Sequence, residues 1–161
     1  MKKDSEKTNV MRLLDQKKIG YEAFWYDGEG LSGEDVARVL GEDEKSVYKT
    51  LVTRGRDKAF YVFVIPVAGE LDLKKAASAV GEKSIEMIKQ KELLPLTGYI
   101  HGGCSPIGMK KSFPTILDES AKELEKIFIS AGRVGAQVCL SPKDLEKMIR
   151  LEYAPVTKEA V

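Results

Sequence analysis

Two stretches of the chain decide the fold: residues 47–53 read VYKTLVT, and residues 59–65 read AFYVFVI. Both are rich in β-branched and aromatic residues, and the intervening RGRDK is typical of a turn, so the sequence predicts a β-hairpin. The second strand is apolar at every position, which indicates a central strand covered on both faces. In the first strand, Lys49 shares one face with Val47 and Leu51, because side chains alternate along a strand.

Helical and strand patterns surround this hairpin. Ser32 and Asp35 form a capping-box pattern that opens a helix ending at Gly41, and Asp72 can cap a helix ending at Gly81. Further helices are predicted over 5–18, over 92–96 with an end at Pro95, and from Ser141 onward, and further strands over 21–26, 115–118, 127–130 and 136–140. Since no repeat or linker interrupts this order, the sequence predicts one α/β domain of the α+β kind, with a mixed sheet, over residues 1–161.

Composition excludes several classes of protein. The chain has 161 residues, 43% of them hydrophobic, with a net charge of +1, one His and two Cys. This is enough for a folded core, and no run of about 18 apolar residues is present to span a membrane. Residues 1–10 carry no secretion signal, so we expect a cytoplasmic protein with reduced thiols and no membrane partner. One His and two Cys do not make an ordinary zinc site, and no metal or cofactor is expected.

Residues 28–33, GEGLSG, match the G-x-G-x-x-G pattern of dinucleotide-binding loops. That fingerprint also requires an acidic residue about 20 positions further on, at the end of the next strand, and the next strand here carries Lys49 and no acid. Residues 22–44 hold eight acids and one arginine, a field that repels a pyrophosphate. We therefore interpret residues 28–33 as a flexible loop leading into a capped helix.

Lys49 is the first candidate functional residue, because its stem lies among apolar side chains. One interpretation is a lysine that protects an edge strand or extends its ammonium group to water. The other is a partly desolvated ammonium group at the floor of a pocket, where it can hold a carbonyl or carboxylate or stabilise an anion. The sequence alone leaves both interpretations open.

Residues 102–108, GGCSPIG, form the second candidate site. Their glycines and proline can make two consecutive turns, or they can expose backbone N–H groups that bind an oxyanion or a phosphate. Cys104 and Ser105 are candidate nucleophiles, but their only evident base is His101 in the same turn. We therefore favour a backbone-donor role for this segment, and we interpret His101 as a polar loop residue.

Three segments together carry a resemblance to a known family. Residues 47–52 (VYKTLV), 71–77 (LDLKKAA) and 97–108 (TGYIHGGCSPIG) resemble the YbaK/EbsC family. Its members are free-standing aminoacyl-tRNA deacylases related to the editing domain of bacterial prolyl-tRNA synthetases. The resemblance implies a central mixed β-sheet or partly closed barrel flanked by helices.

The resemblance also implies an activity, the removal of cysteine mischarged onto tRNA(Pro). In the mechanism proposed for the family, the thiol of the substrate cysteine attacks its own ester carbonyl and releases a thiolactone. A sequence with one His and no catalytic triad suits this chemistry, because no enzyme nucleophile is needed. The enzyme then holds a near-attack conformer and stabilises the developing oxyanion.

Site residues follow from the resemblance position by position. The catalytic lysine corresponds to Lys49, and the glycine that offers a backbone donor corresponds to Gly103. The substrate-binding positions are Tyr26, Leu31, Thr50, Gly102, Ser105, Ser130 and Gln137. Leu31 and Gln137 depart from the Phe and the acidic residue that are common in relatives. This leaves the amino acid open, with another small one such as Ala on tRNA(Pro) as the nearest alternative.

Two further hypotheses belong to other functional classes. A non-catalytic module that binds tRNA or a synthetase is suggested by Gln137, which replaces an acidic residue. A thiol-based redox protein would use Cys104, and it requires a lowered thiol pKa.

The net charge of +1 is the sum of segments with opposite charges. Residues 22–44 carry −7, whereas residues 45–112 carry +6 and include Lys49 and the glycine-rich loop. A phosphate-facing surface is therefore available near the pocket. In this block, the candidate tRNA-binding residues are Arg54, Arg56, Lys110 and Lys111. Because the excess charge is modest, we expect weak binding of mischarged tRNA, and a ternary complex with prolyl-tRNA synthetase is a further hypothesis.

Overall fold

A computed structural model describes residues 6–159, which form five helices and eight strands. The helices are α1 (Asn9–Gln16), α2 (Gly33–Leu40), α3 (Leu73–Val80), α4 (Gln90–Thr97) and α5 (Pro142–Met148). The strands are β1 (Glu22–Trp25), β2 (Tyr48–Arg54), β3 (Phe60–Pro66), β4 (Glu86–Met87), β5 (Thr115–Asp118), β6 (Ile127–Arg133), β7 (Ala136–Leu140) and β8 (Leu151–Ala154). None of the helices in this range is long and apolar enough to cross a membrane.

The strands form two sheets. One has five strands in the order β4-β2-β3-β5-β8, and the other has three in the order β1-β7-β6. The five-stranded sheet is mixed, because β3, β5 and β8 run parallel while β2 is antiparallel to both of its neighbours. A single bridge between Val47 and Phe128 joins the two sheets. The predicted mixed α/β domain is thus confirmed, but the strands within residues 6–159 form two sheets and no closed barrel.

β3 is central, as its unbroken apolar sequence predicts. It lies between β2 and β5, and its side chains enter two different cores. Val62 and Val64 pack with α1 and the three-stranded sheet, whereas Phe63 and Ile65 pack beneath α3. All four side chains are 0% exposed. This strand therefore holds the helices of both faces to one framework.

Helix boundaries agree with the predicted capping residues. Ser32 and Asp35 form a reciprocal capping box at the start of α2, and Gly41 ends this helix with a φ of 72°. At α3, the Asp72 carboxylate accepts hydrogen bonds from two backbone N–H groups, and Gly81 ends the helix with a φ of 77°. These local signals fix where both helices begin and end, and so they place the loops beside β2.

Four elements differ from the prediction. α1 is shorter than the predicted helix over 5–18, because the Thr8 hydroxyl accepts a hydrogen bond from the Met11 N–H and caps the helix there. Ser5 lies outside the described residues. α4 continues through Pro95 to Thr97. The proline costs the helix only one intrahelical hydrogen bond, and the Gly98 N–H closes the last turn by donating to the Leu94 carbonyl. β4 and β8 were not predicted, because both are short edge strands without a strong β-branched pattern.

Truncation of a β3 side chain tests this architecture. We expect Phe63→Ala to lower the free energy of unfolding by about 3–5 kcal/mol, because it removes a buried ring and leaves a cavity. Urea denaturation monitored by circular dichroism measures the change. Leu94, which is 51% exposed, supplies the control, and Leu94→Ala should change the value by no more than about 0.5 kcal/mol. A cost below about 1 kcal/mol for Phe63→Ala would contradict its central placement.

Candidate active site

β2 changes partners along its outer edge, and this creates the site. Val47 bridges to Phe128 of the three-stranded sheet, and Thr53 pairs with β4. The Val47 carbonyl accepts from the Val67 N–H on the β3 side, and so odd-numbered residues of β2 bond to β3. Thr50 therefore directs its backbone N–H and carbonyl to the opposite edge. Within the described chain no strand pairs with that edge between the bridge and β4.

A cavity of about 200 Å³ opens beside this unpaired edge. Both sheets, the loop before α2 and the turn after α4 contribute to its walls. Seven of the nine predicted catalytic and substrate-binding residues line it, namely Tyr26, Leu31, Lys49, Thr50, Gly102, Ser130 and Gln137. It is smaller than the roughly 300–1,000 Å³ of pockets for drug-sized ligands, so it suits a small group such as one aminoacyl residue.

Two buried oxygen atoms in this cavity have no hydrogen-bond partner in the part of the chain that the structure describes. They are Thr50 Oγ1 and Gln137 Oε1. The Gln137 amide is oriented by its nitrogen, since Nε2 donates to the Tyr26 hydroxyl at 3.4 Å. Buried polar groups are nearly always bonded, and leaving one unbonded costs about 1–3 kcal/mol. These two oxygens are therefore candidate acceptors for a donor group on a ligand.

Lys49 supplies the positive charge of the cavity. It is half-buried on β2. Among the described residues, the side chains that line the cavity include no Asp or Glu. No described carboxylate lies within ion-pair distance of its ammonium group, although nine ion pairs form elsewhere. The charge is consequently available to a carbonyl oxygen, an oxyanion or a phosphate of a ligand.

The glycine-rich turn places Gly102, and not Gly103, at the cavity. The Gly103 N–H donates to the Ile100 carbonyl at 2.9 Å, which closes a turn with Gly102 at a φ of 88°. Gly103 packs against the backbone of Val134, where a Cβ would approach the nitrogen to 3.0 Å. Ser105 is fully buried, and its hydroxyl accepts from the Ile107 N–H. Gly103 and Ser105 thus support the turn, whereas Gly102 faces the cavity.

The loop over residues 28–33 forms a wall of the cavity, although Leu31 was the one residue of this loop predicted from the sequence to lie at the site. Its glycines allow close approach of neighbouring segments: a Cβ on Gly28 would lie 2.8 Å from the Gly135 nitrogen, and one on Gly33 would lie 2.8 Å from Val67 Cγ1. The pattern that resembled a dinucleotide loop therefore packs a cavity wall. His101 and Leu93 also line the cavity, and the glycine density on both sides of it was the available signal.

Comparison with known proteins identifies the family. The family model for the aminoacyl-tRNA editing domain matches residues 29–148. The chain belongs to the aminoacyl-tRNA editing domain family. The resemblance inferred from the sequence is thereby confirmed.

Relatives of this editing domain include free-standing proteins and parts of synthetases. It is 46% identical over 158 residues to EbsC of Enterococcus faecalis, and the match covers 97% of this chain and 96% of EbsC. The name of EbsC describes it as a candidate Cys-tRNA(Pro)/Cys-tRNA(Cys) deacylase. It is 27% identical over 107 residues to the proline–tRNA ligase of Shouchella clausii, covering 66% of this chain and 19% of the ligase. A crystal structure described as a candidate trans-editing enzyme for prolyl-tRNA synthetase matches with a TM-score of 0.83 at 23% identity, covering 96% of this chain and 100% of that one.

The four cations predicted to bind tRNA do not line the cavity of the editing domain. Arg54 forms ion pairs with Glu92 and, at 3.8 Å, with Glu86, so its charge is satisfied within the protein. Arg56, Lys110 and Lys111 are exposed on other parts of the surface. Their contact with tRNA stays a prediction.

Both cysteines of the editing domain are buried free thiols. Burial raises the pKa of Cys104 to about 12 and that of Cys139 to about 11, so both are protonated at neutral pH. Cys104 lines the cavity, but a protonated thiol is a poor nucleophile. The redox hypothesis for Cys104 therefore loses its main requirement.

Alkylation measures the state of Cys104 directly. At pH 7.5 we expect iodoacetamide to modify Cys104 at least about 100-fold more slowly in the native protein than in urea, because thiolate is the reactive form and burial suppresses it. Mass spectrometry of the Cys104 peptide follows the reaction, and the Cys139 peptide serves as a second buried thiol. A native rate within about tenfold of the unfolded rate would restore the redox hypothesis.

Proposed function

We propose that this protein is a trans-editing aminoacyl-tRNA deacylase that removes cysteine from mischarged tRNA(Pro). The observation that carries the proposal is the cavity: Lys49, Thr50 and Gln137 line a space suited to a single aminoacyl group, and among the described residues Lys49 has no carboxylate within ion-pair distance and the two side-chain oxygens have no hydrogen-bond partner. Membership of the editing-domain family and the name of the Enterococcus faecalis relative support the same activity.

The substrate's α-ammonium group is held by neutral acceptors. Gln137 Oε1 and Thr50 Oγ1 accept its hydrogen bonds, and each bond removes the free-energy penalty of a buried oxygen without a partner. The ester carbonyl then lies toward Lys49, whose charge stabilises the oxyanion that forms there. Gly102 is the backbone donor at the same place, because the Gly103 N–H is already bonded to Ile100.

The reaction is an attack of the substrate on itself. The cysteine sulfur bonds to the ester carbonyl carbon, the bond from that carbon to the ribose oxygen breaks, and the thiol proton passes to the ribose oxygen. Water later opens the thiolactone. An intramolecular attack has a high effective molarity once the reactive conformer is held, so the protein needs no nucleophile of its own. The raised pKa of Cys104 agrees with this mechanism, in which the substrate and not the protein supplies the nucleophilic thiol.

Delivery of the substrate by prolyl-tRNA synthetase is part of the proposal. The region shared with proline–tRNA ligases is supportive, since it places related editing domains in the synthetase itself. The modest positive charge of residues 45–112 predicts weak affinity for free tRNA, which a ternary complex would offset.

Substitution of Lys49 tests the site. Lys49→Ala should lower kcat/KM for Cys-tRNA(Pro) by about 100-fold or more, because it removes the charge that stabilises the oxyanion. Deacylation of radiolabelled Cys-tRNA(Pro) measures the rate. Lys45→Ala is the matched control, since Lys45 is an exposed lysine just before β2, and it should retain full activity. Equal activity of Lys49→Ala and the unmodified protein would overturn this site assignment.

A panel of tRNA(Pro) charged with Cys, Ala, Ser or Pro tests the nucleophile. We expect cleavage of Cys-tRNA(Pro) and survival of Ser-tRNA(Pro), because a hydroxyl is a far weaker nucleophile than a thiol in the same position. Rates are compared with spontaneous hydrolysis of each ester. Equal cleavage of the Cys and Ser esters would indicate an activated water, and preferential cleavage of the Ala ester would transfer the specificity to alanine. Binding without turnover of any ester would favour the non-catalytic module.

A further inference from the structure

A second cavity adjoins the first across Lys49 and Leu51, which line both. It has a volume of about 530 Å³ and is open to solvent. Residues 70–74 at the start of α3 form one wall, and Met87 of β4 and Lys158 near the C-terminus form the others. We call this cavity, lined by Lys49, Leu51, residues 70–74, Met87 and Lys158, the α3 groove. A ligand seated at Lys49 therefore lies at the boundary between the two cavities.

The charges in the α3 groove leave two lysines uncommitted. Lys158 is paired with Glu70 at 3.0 Å, and the Asp72 carboxylate accepts from the N–H groups at the start of α3. Lys74 is exposed and, like Lys49, has no described carboxylate within ion-pair distance. The groove thus offers two free ammonium groups to an anion that enters from the first cavity.

Apolar side chains are exposed next to Lys74. Leu73 is 41% exposed and Met87 is 44% exposed, and both line the α3 groove. Leu71 is buried behind them. A flat apolar ring can cover these side chains while a linked anion reaches Lys74, and a nucleobase with its phosphate has both parts.

The charges around the first cavity differ in sign between its two sides, and this difference decides on which side a bound polyanion can leave the cavity. Its wall over residues 28–33 and α2 belongs to the segment of charge −7, with Asp27, Glu29 and Glu34 exposed there. The β2 and α3 side belongs to the segment of charge +6. A nucleic acid chain that leaves the cavity is therefore repelled from α2 and attracted toward the α3 groove.

We propose that the α3 groove binds the nucleotides that precede the terminal adenosine of the tRNA. This inference rests on the proposed function, since it assumes an aminoacyl ester at Lys49. Lys74 contacts the phosphate between the terminal adenosine and the preceding cytidine, and the cytosine covers Leu73 and Met87. The groove thereby reads a single-stranded 3′ end and not the body of the tRNA.

Binding of the trinucleotide CCA tests the groove without any need for catalysis. Titration of nitrogen-15-labelled protein should shift the amide signals of residues 71–74 and Met87 with CCA but not with adenosine alone. Lys74→Ala should weaken CCA binding roughly fivefold to tenfold, and the dependence of the affinity on salt should become shallower, as expected for one lost phosphate contact. Lys74→Arg should retain most of the affinity because it retains the charge.

Lys143→Ala is the matched control, because Lys143 is exposed at the second position of α5 as Lys74 is at the second position of α3. It should leave CCA binding and its salt dependence unchanged. Absence of CCA binding, shifts confined to the first cavity, or equal affinity for CCA in Lys74→Ala and the unmodified protein would each overturn the inference.

Kinetics separate this inference from the proposed function. For cysteine esters of adenosine and of CCA, the loss of kcat/KM in Lys74→Ala should be roughly fivefold to tenfold larger for the CCA ester. Equal losses for both esters would overturn the groove while leaving the deacylase intact. No cleavage of either ester by the unmodified protein, combined with CCA-dependent shifts in the groove, would overturn the deacylase while leaving the nucleotide site intact.

Discussion

The outer edge of β2 is the constraint on which the rest of the structure depends. At one end it is held to the three-stranded sheet by the bridge from Val47 to Phe128, and at the other it pairs with β4. Between these points no strand within residues 6–159 pairs with the outer edge of β2 beside Thr50. An unpaired edge within a fold is costly unless a ligand or water bonds to it. The cavity lies where the two sheets, joined at the bridge from Val47 to Phe128, do not pair further along β2.

The polar atoms in the cavity give this geometry a chemical character. Within residues 6–159, Thr50 Oγ1 and Gln137 Oε1 are acceptors without donors, and Lys49 is a cation without a counter-ion. The two unbonded oxygens are unfavourable in the free protein, and each would gain a hydrogen bond from a donor group of a ligand; on the proposed assignment that donor is an ammonium group beside a carbonyl. An aminoacyl ester has that arrangement. A carboxylate in place of Gln137 would bind the ammonium group more strongly, whereas the neutral amide adds no negative charge to the cavity.

Local sequence signals predicted much of this framework. The unbroken apolar run of β3, the caps of α2 and α3, and the position of Lys49 beside Thr50 depend on near neighbours in the chain. The features that were missed depend on distant contacts. The sequence predicted that Arg54 is available to bind tRNA, but in the structure its guanidinium group pairs with Glu92, far along the chain. The sequence could not choose between Gly102 and Gly103, because that choice depends on which N–H closes a turn and on the packing of Val134.

The two adjoining cavities also constrain what Lys49 can do. A phosphate paired directly with Lys49 would neutralise it in the bound substrate and in the transition state alike, and such uniform binding does not accelerate the chemical step. Rate enhancement requires that the ammonium group interact more strongly with the oxyanion, which appears only as the ester is attacked. On the proposed assignments, a second cation must therefore take the permanent charge of the tRNA backbone. Lys74 is placed to do so, because it lines the groove that begins at Lys49 and has no partner of its own among the described residues.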